Sequence, residues 1–265
     1  MTNSASKGTA LITGASSGIG AIYADRLARR GYDLILVARN EARLSELATR
    51  LAADTGRAVE TIKADLGDAA DLARIEAVLR SNPAITLLLN NAGVGATQPL
   101  LESEIAKMDA MIALNVTAPM RLAYAVAPGL VARGGGTIIN IASIVAVAPE
   151  LLNGVYGGSK AFVLAFSQSL QHELADKGVT VQAVLPGATA TDFWEISGRP
   201  VEQLPEAIVM SAADMVDASL AGLDQGERVT IPALPELADW NAFEGARQAL
   251  MPNLSRAQPA QRYLQ

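Results

Sequence analysis

Apolar residues recur along this chain in two rhythms. Short runs rich in β-branched residues fall at 9–13, 33–38, 58–64, 85–90, 136–142, 180–185 and 228–232, and these predict strands. Between them apolar positions return every three to four residues, which predicts helices near 18–30, 41–55, 68–81, 103–132, 156–177 and 211–225, with another near 236–250. In 41–55, for example, Leu44, Leu47, Ala48 and Leu51 form one stripe, while Glu41, Arg43, Glu46 and Arg50 lie off it. The run 85–90 is apolar almost throughout, as a strand covered on both faces should be. Regular alternation of strand and helix predicts an α/β fold, a parallel sheet with helices on both sides. No linker, repeat or shift in composition divides the chain, so 1–265 reads as a single domain.

Two places go against the local pattern. Pro119 and Pro128 lie inside the helical stretch 103–132, where each should remove a hydrogen bond and kink or end the helix. Gly157 and Gly158 open the helix expected from 156, at a cost of about 1 kcal/mol each relative to alanine. Both suggest a packing or functional reason.

Composition narrows the classes of function. Half of the residues are apolar and 18% are charged, so a large core is within reach. The net charge of -6 argues against a nucleic-acid partner, whose phosphates require clustered Lys and Arg. With no cysteine, thiolate catalysis, disulfides and Cys-held metals are excluded, and one histidine, His172, leaves no His-based metal cluster or Ser-His-Asp triad. His172 reads as a solvated side chain. The first twelve residues lack a basic stretch followed by an apolar run, and no 18-residue run is unbroken by polar groups. A cytoplasmic chain with no membrane span is expected.

The chemistry begins at the first strand. Thr9–Thr13 runs straight into Gly14-Ala-Ser16-Ser17-Gly18-Ile19-Gly20, which opens a helix. Glycines there let the backbone turn tightly and approach a pyrophosphate, whose charge sits on the free amides of the helix N-terminus. The spacing, Gly-x-x-x-Gly-x-Gly, differs from the Gly-x-Gly-x-x-Gly of the broader dinucleotide fingerprint. Further along come Asn90-Asn91-Ala92-Gly93, Ser143, Tyr156-x-x-x-Lys160 and Pro186-Gly187. These five features, in this order, resemble the short-chain dehydrogenase/reductase family, in its compact branch, over about residues 9–234. The resemblance implies a doubly wound Rossmann-type sheet of seven strands in the order 3-2-1-4-5-6-7, with the site at the carboxyl ends of the strands.

Cofactor choice can be read at the end of the second strand. An NAD enzyme carries an acid there to bind both ribose hydroxyls. Here Ala38 takes that position, Arg39 and Asn40 follow, and Asp33 stands at the opposite end. A cation suits the adenosine 2′-phosphate, which a carboxylate would repel, so NADP(H) is favoured. Ser17 departs from the many NADP relatives with Arg or Lys just before the second glycine. Asp65 and Leu66 resemble the pair bordering the adenine, and Asp65 also reads as the N-cap of the helix 68–81. By resemblance, Asn91, Ala92 and Gly93 close against the cofactor. Pro186, Gly187 and either Thr189 or Thr191 would grip the nicotinamide amide.

Tyr156 and Lys160 share one helix face, four residues apart. An ammonium near a phenol stabilises its phenolate and should lower its pKa from ~10 toward the working range. Tyr156 is thus expected to be the acid/base of hydride transfer. Lys160 is expected to assist it and, by resemblance, to bind the nicotinamide ribose. Ser143, thirteen residues before Tyr156, can hydrogen-bond the substrate oxygen. Asn115 matches the fourth family member, which holds a water joining the lysine to solvent.

The segment after Thr191, roughly 192–210, is where this family shapes its substrate pocket. Phe193, Trp194 and Ile196 on that side, with Val145, Val147, Leu151 and Leu152 on the other, favour a fairly apolar carbonyl or secondary alcohol. Phe193, Trp194, Val145 and Ser143 are the candidate substrate contacts. The resemblance also implies a homodimer or homotetramer through the helices 103–132 and 156–177. Phe162, Leu164, Phe166 and Leu170 fit either that interface or the core of one chain. Two other readings stay open: a nucleotide-binding sensor or scaffold on the same fold, and a cofactor-retaining epimerase or dehydratase.

Overall fold

Seven of the expected strands pair into one parallel sheet: β1 (Thr9–Thr13), β2 (Asp33–Ala38), β3 (Val59–Lys63), β4 (Ile85–Asn90), β5 (Gly136–Ile141), β6 (Val179–Val184) and β9 (Val229–Thr230). A computed structural model describes residues 6–264. Met1–Ala5, within the amino-terminal stretch read for an export signal, and Gln265 lie outside them. The strand order is β3-β2-β1-β4-β5-β6-β9, the expected 3-2-1-4-5-6-7 with two extra strands counted along the chain. Those two, β7 (Thr189–Ala190) and β8 (Met210–Ser211), pair with each other alone and are too short to leave a periodic signal.

The near-continuous apolarity of the strands follows from burial on both faces. Ala10, Ile12, Leu34, Leu36, Leu87 and Leu89 point into one core cluster. The residues between them, Leu11, Ile35, Val37 and Leu88, point into the other. The first cluster lies under α1 (Gly18–Arg29), α2 (Glu41–Thr55) and α8 (Ala212–Asp224). The second lies under α3 (Ala69–Ser81), α5 (Ala118–Ala132) and α6 (Gly154–Leu174). Chain order reverses between β1 and β4, and in open α/β sheets the ligand crevice forms at that switch point.

The stretch 103–132 is not one uniform helix. It is α4 (Ile105–Ile112), a π turn Ala113–Thr117, and α5. The π turn places Pro119 in the first turn of α5, where its missing N–H costs little. Pro128 lies inside α5, which runs on to Ala132, so the expected break does not occur there. Among the described residues one helix, Ile105–Ala132, is long and apolar enough by length and composition to cross a membrane, despite lacking an unbroken apolar run. Its apolar side is committed to the fold, with Ala118, Leu122, Ala123, Ala125, Val126 and Leu130 all in the second core cluster. The helix expected from 156 starts at Gly154, and the Asn153 side chain caps it by accepting from the Val155 and Tyr156 amides. A Cβ on Gly157 would meet Pro149 at 3.2 Å, a packing reason for that glycine, whereas Gly158 has open space around it.

Contacts divide the chain into two compact units, one through Pro232 and one from Ala233. The second carries α9 (Leu237–Ala249), with the rings of Trp240 and Phe243 5.4 Å apart and Glu244 paired with Arg247.

Candidate active site

The glycine turn leaves β1 with Gly14 at φ +65° and Gly18 at φ +51°, a region that favours glycine. Nor would the space admit side chains. A Cβ on Gly20 would stand 2.3 Å from the Gly14 carbonyl oxygen, and one on Gly14 would stand 2.9 Å from the Ala92 backbone. Thr13 closes the adjoining turn: its Oγ1 accepts from the Asn91 and Ala92 amides at 2.9 and 3.0 Å. Asn91 returns the contact, its Nδ2 donating to the Thr13 and Gly14 carbonyls. Side chains of Asn40, Asp68, Asn153 and Ser211 cap α2, α3, α6 and α8, but Ser17 makes no cap bond to α1, whose first turn carries no acid. Bare amides above a cradle that a Cβ would fill suit a bound pyrophosphate.

At the end of β2, Arg39 is 70% exposed, with Nη1 3.9 Å from Asp65. Asn40 accepts from the Arg43 amide. Arg43, read in the sequence only as an off-stripe charge, adds a second cation one turn into α2. Its Nη1 lies 3.3 Å from Asp192. Asp65 is not the cap of α3: it accepts from the Gly67 amide in a local turn, and Asp68 caps the helix. Leu66 is buried in the second core cluster.

Ser143, Asn115, Tyr156 and Lys160 converge at the carboxyl end of β5. Ser143 lies two residues past that strand and caps the turn that follows, its Oγ accepting from the Val145 amide and donating to the Pro186 carbonyl at 3.4 Å. Burial drives the phenol of Tyr156 up to about 12, and the nearby Ser143 hydroxyl only partly opposes this. The expectation that Lys160 lowers this pKa is therefore not met. The lysine Nζ donates to the Ile141 carbonyl at 2.9 Å and stands 5.9 Å from the tyrosine ring centroid. Burial also brings Lys160 down, to about 8. Asn115 lies in the π turn with its amide fully engaged: Oδ1 accepts from Val94 N, and Nδ2 donates to Val94 O and Ser159 Oγ. Ser159 donates in turn to the Tyr156 carbonyl at 2.7 Å. A Cβ on Gly93 would lie 3.1 Å from Asn115 Oδ1 and 3.5 Å from Lys160 Nζ. That bare backbone keeps the turn against Asn115 and the helix that carries Lys160. Asn153 and Ser159 were not singled out from the sequence, and Thr13 only as the residue that opens the glycine motif. Their work is hydrogen bonding between distant segments, which leaves no periodic trace.

The lid after Pro186-Gly187 rises on β7, where Thr189 is buried and Thr191 Cγ2 would be 3.1 Å from a Cβ on Gly18. Its short helix α7 (Phe193–Ile196) divides the aromatic pair. Phe193 packs on the apolar cluster of Tyr156, Met108, Met111 and Val145. Trp194 turns away into the lid: it is buried, and its Nε1 donates to the Thr189 carbonyl at 3.0 Å. Ile196, Val147 and Leu151 are exposed, while Leu152 packs on the cluster. His172 is exposed on α6, as expected.

A family profile of short chain dehydrogenases matches residues 8–200. The chain belongs to the short-chain dehydrogenase/reductase family, and it is an oxidoreductase of that family acting between CH–OH and carbonyl groups. It is 34% identical over 208 residues to an uncharacterized oxidoreductase of Staphylococcus epidermidis, covering 76% of this chain and 88% of that protein. It is also 34% identical to a very-long-chain 3-oxoacyl-CoA reductase of Anas platyrhynchos, over 78% of this chain and 68% of that one. Among solved structures, a short-chain dehydrogenase from Sphingobium yanoikuyae in complex with NADPH superimposes with a TM-score of 0.94 at 51% identity, over 97% of this chain and 99% of that one. A bulky-bulky ketone specific alcohol dehydrogenase from Comamonas testosteroni gives a TM-score of 0.90 at 47% identity, with the same coverage.

Proposed function

We propose that this chain is an NADP(H)-dependent reductase of ketones bearing apolar groups, with Tyr156 as proton donor. The observation that carries this reading is the Tyr156 phenol, pushed by burial up to about 12 and so protonated at neutral pH, packed with Met108, Met111 and Val145. A protonated phenol is the form that ketone reduction needs. The reduced nicotinamide, when bound, supplies the hydride. Ser143 orients the carbonyl oxygen and stabilises its growing charge. Tyr156 delivers its proton to that oxygen. Lys160, mostly an ammonium at pH 7, favours the phenolate left behind and offers its Nζ to the ribose. Asn115 acts as a positioning residue through Val94 and Ser159. With its amide so engaged, holding a water is left to its main chain.

Gly14, Ser16, Ser17, Gly18 and Ile19 would hold the pyrophosphate at the N-terminus of α1. Arg39 and Asn40 would take the 2′-phosphate, with Asp65 and Leu66 at the adenine. Asn91, Ala92, Gly93, Tyr156 and Lys160 would line the ribose, and Pro186, Gly187, Thr189 and Thr191 the carboxamide. The choice of NADPH rests on Arg39 and on the NADPH bound to the Sphingobium relative. Apolar ketones are favoured by the walls of the site and by the name of the Comamonas relative. We also propose assembly into a homo-oligomer through the exposed sides of α5 and α6.

The test is NADPH oxidation against a panel of ketones, repeated with Tyr156→Phe. Turnover should fall at least ~100-fold, as for loss of a general acid, while the NADPH dissociation constant stays within about two-fold. Undiminished turnover in the variant defeats the mechanism.

A further inference from the structure

Tyr156 is 5% exposed, and its ring packs in an apolar cluster with Met108, Met111, Val145 and Phe193. Met108 and Met111 belong to α4, and Val145 to the turn after β5, all seated in the body of the fold. Phe193 differs, because it stands on a helix of four residues within the lid. Its ring centroid is 5.8 Å from that of Tyr156, tilted by 45°. The far edge of the ring lies on the bare backbone of Gly95, where a Cβ would come within 2.2 Å of Phe193 Cζ and 2.8 Å of Cε2. The same Cβ would meet Ser197 Oγ at 2.8 Å. Ser197 fastens this corner: its Oγ donates to the Phe193 carbonyl at 2.6 Å, and its own carbonyl accepts from Thr97 Oγ1 at 2.8 Å. Trp194, bonded to Thr189, anchors the stem of the lid. One neighbour of Tyr156 is therefore a ring carried by the lid, and its seat is shaped by the absence of a side chain at Gly95.

We propose that Phe193, seated on Gly95, is the specificity-determining residue of this site. Its ring fills the apolar half of the carbonyl pocket, and a substrate is accepted according to how well one of its groups takes the place the ring vacates. The substrate class this defines is a ketone with at least one flat, apolar, aryl-sized substituent. The inference rests on the ketone-reductase reading above and goes beyond it in naming the pair that selects the substrate.

The experiment compares kcat/KM for benzophenone and for butanone in the wild type, Phe193→Ala, Gly95→Ala and the double variant. Removing the ring should raise the benzophenone-to-butanone ratio at least about 10-fold, the scale on which pocket volume discriminates. Gly95→Ala, which unseats the ring, should shift the ratio the same way, yet change it less than about two-fold once Phe193 is already alanine. A structural role alone would lower both ketones together, with the two substitutions multiplying, and that result overturns the proposal. A second readout needs no turnover. With Trp240→Phe as background, Trp194 is the remaining tryptophan and packs edge-on at 5.8 Å from Phe193. Acrylamide quenching of Trp194 should rise in Gly95→Ala and not rise further in the double variant. If the wild type reduces no ketone, the functional reading fails by itself and this quenching pattern decides the Phe193–Gly95 pair: additive effects of the two substitutions refute it.

Discussion

An amine enclosed by protein with one carbonyl as its partner holds its proton weakly. Lys160 is in that position, brought from 10.5 to about 8 by burial. Between these two values the unfolded chain binds a proton that the folded chain does not, so this residue makes stability rise with pH through that window. Below pH 8 the whole cost of enclosing the charge is present. Lys160→Met keeps most of the volume and removes the charge. At pH 7 it should stabilise the fold by about 1–3 kcal/mol while abolishing activity, the usual trade between a site and its scaffold. The gain should shrink by pH 9.5. Urea unfolding at both pH values measures it, and a Lys160→Met protein less stable than wild type at pH 7 would show that the ammonium is net stabilising. Tyr156, driven the opposite way by the same burial, keeps its proton across this range. The sequence puts these two residues on one helix face. It does not reveal that enclosure outweighs their mutual attraction, because burial is a property of the assembled site.

Among the elements, β4, β5 and α6 are joined by a polar thread through an apolar core. Asn90 and Asn140 face each other in register, and Asn90 Nδ2 donates to Asn140 Oδ1 at 2.9 Å. Asn140 Nδ2 donates to Ser167 Oγ at 2.9 Å, and Ser167 donates to the Val163 carbonyl. The thread ties the helix carrying Tyr156 and Lys160 to the strand that leads into Ser143. Asn140→Ala would remove one hydrogen bond from each neighbour, leaving Ser167 its bond to Val163 and Asn90 a longer one to the Pro119 carbonyl, and should cost about 1–3 kcal/mol. Chemical denaturation checks this, and a loss under about 0.5 kcal/mol would mean the thread contributes nothing net. The strands themselves are legible because burial on both faces leaves continuous apolar runs. The asparagines inside those runs are visible too, but their partners lie 50 and 27 residues away. The π turn was hidden for a related reason: one widened turn leaves the apolar stripe of 103–132 nearly unchanged.

Across the whole molecule the remaining question is what covers the outer faces of α5 and α6. Of the four residues that fitted either an interface or a core, Leu164 and Leu170 are buried. Phe162 and Phe166 stack at 5.6 Å, and Tyr124, 70% exposed, continues the stack at 6.3 Å. Three aligned rings ending at solvent form the apolar, low-entropy surface that protein interfaces favour. Tyr124→Glu would place a carboxylate in that stack, and light scattering should show the wild-type oligomer falling to monomers with the fold retained. A monomeric wild type would remove the basis for the proposed assembly.

Strand and helix periods, the glycine turn and the Tyr156/Lys160 spacing are local patterns, and they were enough to specify the parallel α/β sheet, its strand order through the family resemblance, and the group of residues proposed for catalysis. Local chemistry also placed a cation at Arg39 where an acid would serve NAD. Everything that depends on distance through space was decided by the tertiary structure. Folding brought Asp192 to Arg43 and fixed Asp68 rather than Asp65 as a cap. It turned Trp194 into an anchor and its neighbour Phe193 onto Tyr156, a division that two adjacent aromatic letters cannot express. The physical reason is the same in each case: a sequence records which groups are present and how far apart they lie along the chain, while pKa values, packing and selectivity depend on what surrounds each group once the sheet has closed its two cores.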